Sequence, residues 1–323
     1  HTRCLSDWSS DVCSSDLPRP VRLPVGTETK SAGPPVRLPP IPGAGASDPA
    51  LRWRPPSTGP VGGRLQNFVG SWAQITSDRW VLETISRGYL LEFTSTPPSD
   101  MAIHTTPTPF NPAQRAALEG EILSLLGKCA IRGIPSLRGR TGFMSSFFLV
   151  PKKETNAWRP ILNLRPLNKF IRPRRFRAET LRSILESLQP DSWAASIDLR
   201  DAYLHVPVGR EHWKFLRFQY DGTLFEFTVL PFGLSTSPRV FTRVVRAIGA
   251  ALRRQGISVF MYLDDWLIVG SSRRATGLAL QRTWCLAADL GFLINAERSH
   301  PQPTQSPTFL GATLDLKIGR AHV

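Results

Sequence analysis

ISVFMYLDDWLIV, residues Ile257 to Val269, is two apolar runs broken by a pair of adjacent aspartates. Ile257 to Met261 and Trp266 to Val269 have the length and the β-branched and aromatic content of buried strands, so Tyr262-Leu263-Asp264-Asp265 reads as the tip of a strand–turn–strand. Asp suits turns for its own backbone reasons, and two aspartates in a solvated hairpin are a common, functionally silent feature. A tight turn between buried strands is also where two carboxylates can face a dication.

A third acid separates these readings. Sixty-six residues before Asp264, Ala194-Ala195-Ser196-Ile197-Asp198-Leu199 is a short apolar strand ending in Asp198. Carboxylates from two neighbouring strands can hold two magnesium ions, one lowering the pKa of an attacking hydroxyl and one neutralising a triphosphate. That is a nucleotidyl-transfer arrangement.

Working outward, the pattern predicts helices packed on one face of a small antiparallel sheet, an α+β fold. Lys214 to Tyr220, Asp221-Gly222 and Thr223 to Leu230 read as a hairpin, with Asp-Gly supplying the positive φ angles of a two-residue turn. Ser237 is expected to cap a helix with Pro238 next, a buried stripe of Phe241, Val244, Val245, Ile248 and Leu252, and an end at Gly256. A second helix from about Arg274 to Leu290 ends at Gly291, and short strands are expected near Leu293 and Phe309. Upstream, Asn111 and Pro112 start an amphipathic helix carrying Leu118, Ile122, Leu125 and Leu126. Arg64 to Phe93 holds one or two short helices, the second capped at Asp78 and stopped by Gly88. Pro18 to Pro60 has twelve prolines in 43 residues and reads as disordered linker.

The chain carries a net charge of +15 and a pI near 10.6, which points to a polyanionic partner. Arg138 to Arg182 contains twelve Lys or Arg against Glu154 and Glu179, with Trp158, Phe170 and Phe176 interleaved. Such a stretch is either a solvated basic face or a template and triphosphate track; its position before the first acidic strand favours the track. Cys129 and Cys285 lie far apart with no CxxC or zinc spacing, and no apolar run reaches the length of a membrane span, so a disulfide scaffold, a zinc module and a membrane protein are set aside and an intracellular setting is expected.

These motifs, in this order, resemble those of reverse transcriptases. WRPILNLRPLN (Trp158 to Asn168) is similar to the fingers motif, SIDLRDAYLHV (Ser196 to Val206) to the first palm motif, LPFGLSTSP (Leu230 to Pro238) to the LPFG…SP loop, YLDD to the YxDD box, and Phe309-Leu310-Gly311 to the primer-grip entry. The wording DLRDAY, LPFGLS and YLDDWL, with Arg64 to Phe93 ahead of it, most resembles retrotransposons of the DIRS-like, tyrosine-recombinase type; gypsy-type elements are the next nearest. The resemblance implies a fingers and palm fold at 111–316, a short helical segment at 64–110 before it, and no thumb or RNase H domain in the remaining chain. Both ends, His1 to Leu17 and Lys317 to Val323, resemble translated sequencing adapters; setting them aside leaves the net charge unchanged.

What the resemblance implies for the site is specific. Asp198, Asp264 and Asp265 would be the catalytic, metal-binding carboxylates for two Mg2+ ions, with Mn2+ as an alternative. Tyr203 would clash with a ribose 2′-hydroxyl; a plain core Tyr is the other reading. Asp201 and Ala202 would offer backbone N–H groups to the triphosphate, Arg159 would clamp it with Lys152 or Lys153 as a second cation, and Phe232 and Gly233 would lie under the incoming nucleotide. Phe309, Leu310 and Gly311 would form the primer grip, and Arg172, Arg174 and Arg175 part of the template track. The partners would be an RNA or DNA template with its primer, and dNTPs. Two departures stand out: Asn163 replaces a frequent Asp beside Arg165, leaving a hydrogen bond in place of an ion pair, and Arg298, in Asn295-Ala296-Glu297-Arg298-Ser299, replaces a lysine and has no assigned role. The expected activity is RNA-directed DNA synthesis. A catalytically silent nucleic-acid-binding remnant remains open, as does an RNA-dependent RNA polymerase, against which Tyr203 argues.

Overall fold

The computed structural model describes residues 59–99, 111–134, 141–151, 158–175 and 180–317, with the backbone of 320–322. The expected linker lies outside the described residues except at its last two positions, as do 1–17 and Lys152 and Lys153.

After a 3₁₀ turn at Arg64–Phe68 come α1 (Val69–Ile75) and α2 (Arg79–Arg87). The Asp78 carboxylate accepts from the backbone N–H groups of Trp80 and Val81, and Gly88 follows at φ 90°, as expected. Helix α3 (Pro112–Gly127) starts where the Asn111 side chain accepts from Ala113 N–H at 2.9 Å. Strands β1 (Ile131–Ile134), β2 (Phe147–Pro151) and β3 (Trp158–Leu162) follow, then the short α4 (Arg165–Asn168) and α5 (Leu181–Ser187). The second half runs β4 (Trp193–Asp198), β5 (Arg217–Tyr220), β6 (Thr223–Phe227), α6 (Ser237–Arg253), β7 (Ser258–Tyr262), β8 (Asp265–Gly270), α7 (Arg273–Asp289), β9 (His300–Thr304), β10 (Thr308–Phe309), β11 (Ala312–Asp315) and β12 (Arg320–His322).

Four antiparallel strands in the order β7-β8-β4-β9 form the central sheet. Side chains alternate across a strand, so the two faces can be read off the register. One face carries Ala195, Ile197, Val259, Met261, Trp266 and Ile268, all buried in the main core together with the α6 stripe Phe241, Val244, Val245, Ile248 and Leu252 and with Leu280 and Trp284 of α7. The opposite face carries Asp198 and Asp265 at one end. At the other end Ala194 and Leu267 join a second cluster with Ile184, Leu188, Phe309, Ala312, Leu314 and Leu316.

Several expectations are corrected. Ser237 does not cap α6: the N-cap is Thr236, and the buried Ser237 hydroxyl donates instead to Pro231 O at 2.9 Å. The β5–β6 hairpin turns at Asp221-Gly222 with φ of 47° and 74°, as the Asp-Gly pair requires, but its first strand starts only at Arg217 because Arg210–Phe215 forms a 3₁₀ helix. Near Leu293 there is a single bridge, Leu199 to Ile294, rather than a strand. Strand β9, with two prolines, is a sheet edge, the one place in a sheet where a residue lacking an N–H is tolerated.

The segment before the basic stretch belongs to the core. Trp72 Nε1 donates to Leu290 O and Arg64 Nε to Gly291 O, each at 3.0 Å. The Arg243 guanidinium lies 4.0 Å over the Trp80 ring. A Cβ at Gly291 would stand 2.4 Å from the Phe68 ring. Among the described residues no helix is long and apolar enough to cross a membrane.

Candidate active site

The turn between β7 and β8 brings the two adjacent aspartates to the sheet's end. Tyr262 and Asp265 are the last cross-strand pair, leaving Leu263 and Asp264 as the two-residue loop. Leu263 sits at φ 52°, a left-handed conformation costing a non-glycine residue about 1–2 kcal/mol. Its cost is offset by what the turn gains. The buried Leu263 side chain joins the core, Leu263 O accepts from Trp266 Nε1 at 3.0 Å, and Asp264 O accepts from Leu199 N–H at 2.9 Å.

Asp198 is directly opposite Asp265 in the β4–β8 register. Its backbone is pinned on both sides: its N–H donates to Ser299 Oγ at 3.0 Å and its O accepts from Asn295 N–H at 2.8 Å. The sheet thus places Asp198, Asp264 and Asp265 together, as the motif spacing predicted.

Burial and mutual repulsion make these acids reluctant to ionise together. Burial, followed by the charges of Asp264 and Asp198, pushes Asp265 up to about 7. Burial, with the Asp198 charge adding to it, brings Asp264 to about 6. Asp198 is also raised by burial, opposed by the Arg298 charge and by its hydrogen bonds to Asn295 and Asp265. The exposed guanidinium of Arg298 opposes the rise in all three. Sequence reasoning left Arg298 without a role; its place is beside the acids.

Among the described residues no three His, Cys, Asp or Glu side chains are arranged as a ready-made metal cage. Magnesium takes hard oxygen donors, typically one or two carboxylates with the rest of its shell from water and substrate phosphate. The carboxylate oxygens that Asp198, Asp264 and Asp265 bring together are hard donors of the kind such an ion takes.

Tyr203 lies in the 3₁₀ turn Ala202–His205, five residues after Asp198, and is 4% exposed. Its ring packs 5.0 Å from Phe232 and 5.6 Å from Phe241. Burial, then the charges of Asp264 and Tyr262, raise its hydroxyl so that it stays neutral. Phe232 is half exposed above it at 51%. Gly233, at φ 89°, is tied down by Asn168, whose side chain donates to Gly233 O at 2.8 Å and accepts from Ser235 N–H at 2.9 Å. Asp201 opens the turn at φ 49°, and its carboxylate accepts from Lys128 Nζ at 2.9 Å. Lys128 lies outside every motif, and His205, though within the Ser196 to Val206 motif, has no role assigned there; it bonds both Leu293 N–H and Ala202 O.

The remaining expected residues lie on other elements. Arg159 pairs with Val150 in the β2–β3 hairpin. Asn163 accepts from the backbone N–H of Arg165 at 3.3 Å, so its hydrogen bond closes a local turn. Arg172, Arg174 and Arg175 are exposed, and Arg174 Nε donates to Glu92 at 2.8 Å. Phe309 is buried, and Leu310-Gly311 form the two-residue turn of β10–β11 with φ of 51° and 78°. This hairpin packs on the same sheet face that carries the acids.

Comparison with known proteins agrees with this geometry. A family model described as reverse transcriptase (RNA-dependent DNA polymerase) matches residues 150–314. The Tf2-3 and Tf2-7 transposon polyproteins of Schizosaccharomyces pombe are 29% and 28% identical over 166 residues, which is 51% of this chain and 12% of each polyprotein. The chain therefore spans about an eighth of the length of those relatives. Among solved structures, the prototype foamy virus protease–reverse transcriptase superposes with a TM-score of 0.55 at 21% identity, over 70% of this chain and 28% of that one. A foamy viral protease–reverse transcriptase in complex with double-stranded DNA gives 0.56 at 19% identity, over 82% and 48%. A further one, in complex with an RNA/DNA hybrid, gives 0.54 at 18%, over 81% and 37%. At these identities the likeness is one of fold: fingers and palm.

Proposed function

Because the chain belongs to the reverse transcriptase (RNA-dependent DNA polymerase) family, of the retrotransposon and retroviral type, we propose that its acidic site extends a primer by copying a template strand into DNA. The observation that carries this reading is the register of Asp198 against Asp265, with Asp264 in the adjoining turn. In the reaction the primer 3′-oxygen attacks the α-phosphorus of a dNTP, a phosphodiester bond forms, and the bond to pyrophosphate breaks. Asp198, Asp264 and Asp265 would hold two magnesium ions, which when bound supply Lewis-acid charge that favours the 3′-alkoxide and neutralises the triphosphate.

The chain's own residues do the positioning. The raised affinity of the acids for protons keeps excess negative charge out of the site until cations arrive. Tyr203, held by Phe241 on one side and Phe232 on the other, would exclude the ribose 2′-hydroxyl by bulk. Phe232 and Gly233 would floor the nucleotide, while Asp201 and Ala202 would present backbone N–H groups to the triphosphate. Arg159, with Lys152 and Lys153, would clamp that triphosphate; Phe309, Leu310 and Gly311 would guide the primer end; Arg172, Arg174 and Arg175 would follow the template. The DLRDAY, LPFGLS and YLDDWL wording supports a DIRS-like retrotransposon as the source.

The purified chain should extend a DNA primer on an RNA template in magnesium. Asp264→Asn or Asp198→Asn should lower the rate at least about a hundredfold, since charge at the metals supplies several kcal/mol. Undiminished extension by either variant would remove the metal assignment.

A further inference from the structure

The carboxylate of Asp201 poses a problem for a triphosphate site. It follows Asp198 by three residues in the turn that carries Tyr203, where its charge would repel a triphosphate bound there. Its side chain is 22% exposed. Its partner comes from elsewhere in the chain: Lys128, the residue that closes helix α3, reaches it at 2.9 Å with its own side chain 33% exposed.

Nothing about Lys128 marks it in the sequence, but its backbone is as carefully held as its side chain. Gly62 N–H donates to Lys128 O at 2.7 Å, and the next residue, Gly63, donates its N–H to Leu204 O at 2.9 Å. Two successive amides of the amino-terminal segment thus grip the lysine and the Tyr203 turn at once. The approach is so close that a Cβ at Gly62 would lie 2.6 Å from Lys128 O and 2.2 Å from Cys129 O. Inside the turn, Asp201 is left-handed at φ 49°, a conformation Asp tolerates better than most residues, and Leu204 N–H returns to Asp201 O at 2.9 Å.

Resting on the polymerase reading above, we propose that Lys128 is a positioning residue of the nucleotide site, which cancels the Asp201 charge so that the turn can lie beside a triphosphate. The Gly62-Gly63 pair is the clasp that keeps lysine and turn in register. A half-exposed ion pair adds little to stability. Its value here is local, because the same charge left uncompensated would face several phosphate charges at short range.

The test is single-nucleotide incorporation by the full chain, titrating dNTP, with primer–template affinity measured separately by fluorescence anisotropy. Lys128→Met should raise KM for dNTP about tenfold, the effect of one unbalanced charge near the site, with little change in primer–template Kd. Lys128→Arg should stay close to wild type. The decisive variant is Lys128→Met combined with Asp201→Asn, which should recover most of the lost affinity because the carboxylate that needed cancelling is gone. An unchanged KM in Lys128→Met, a double variant as impaired as the single one, or a loss confined to primer–template binding would each overturn the proposal. A wild-type chain that incorporates no nucleotide on RNA or DNA templates would instead overturn the polymerase reading, and this inference with it.

Discussion

The two faces of the central sheet, built from the same strands, have opposite characters. Towards the helices, Ile197, Trp266 and Ile268 are fully buried in one continuous core. One residue along each strand, Asp198 and Asp265 face the other way and carry carboxylates that burial makes reluctant to ionise. A strand's two-residue repeat lets stability be stored on one face while the other holds groups that cost stability. Stability and chemistry can therefore be altered separately at neighbouring positions.

The sharpest way to break this comparison is to cut into both faces of β8. Ile268→Ala should cost about 4 kcal/mol, the usual scale for a fully buried branched side chain, read as a lower denaturation midpoint at constant m-value. If the loss is below about 1 kcal/mol, the helix-side face is not where the stability lies.

A somewhat smaller effect should appear in acid. His205, the buried last residue of the turn that carries Tyr203, is held down to about 4 by burial, with the charge of Arg64 lowering it further and the Ala202 bond and the Asp201 charge opposing. Its folded value lies below the ordinary 6.5, so the unfolded chain binds more protons between those values. The stability it protects is full above about pH 6.5 and is lost as pH falls towards 4, by about 3 kcal/mol in total at 1.36 kcal/mol per unit. The raised carboxylates slope the opposite way, losing stability as pH rises through their range. The difference between wild type and His205→Gln isolates the histidine: the gap should close on acidification, and a gap that stays constant from pH 7 to 4 would show that His205 does not titrate on unfolding.

The smallest effect has the opposite sign. In the absence of divalent metal, Asp265→Asn should raise stability at pH 8 by about 1–2 kcal/mol, because a buried acid flanked by two others no longer has to ionise. Magnesium should then stabilise wild type more than the variant, measured as the shift in Tm on adding the ion. A variant less stable than wild type without metal would make the acids structural.

The sequence made the local chemistry legible because it is written in short spacings. The Tyr262–Asp265 turn, the Asp78 and Asn111 caps, the Asp221-Gly222 hairpin and the α6 stripe each depend on residues within a few positions of one another. The nearness of Asp198, Asp264 and Asp265 was legible for the same reason, since each stands at the end of a strand or in the turn that the local pattern marks. Hidden were pairings across long separations. Lys128 meets Asp201 from 73 residues away, and His205 meets Leu293 from 88. Ser237 shows the converse failure: its preference for capping is real, but a buried carbonyl at Pro231 outbid the helix end. Strand β9 was missed because prolines argue against a strand everywhere except at an edge, and edges are set by topology, not by local sequence.

Gly291 ties the amino-terminal segment to the sheet. With the Phe68 ring where a Cβ would stand, and the carbonyls of Leu290 and Gly291 taken by Trp72 and Arg64, the surface behind the sheet is complete only with residues 61–93 on it. Replacing the matched stretch, 150–314, with a version that carries a side chain at position 291 would drive that side chain into the Phe68 ring. The amino-terminal segment and the strands that carry the acids are therefore one packing unit, and a change at Phe68 must be answered at Gly291.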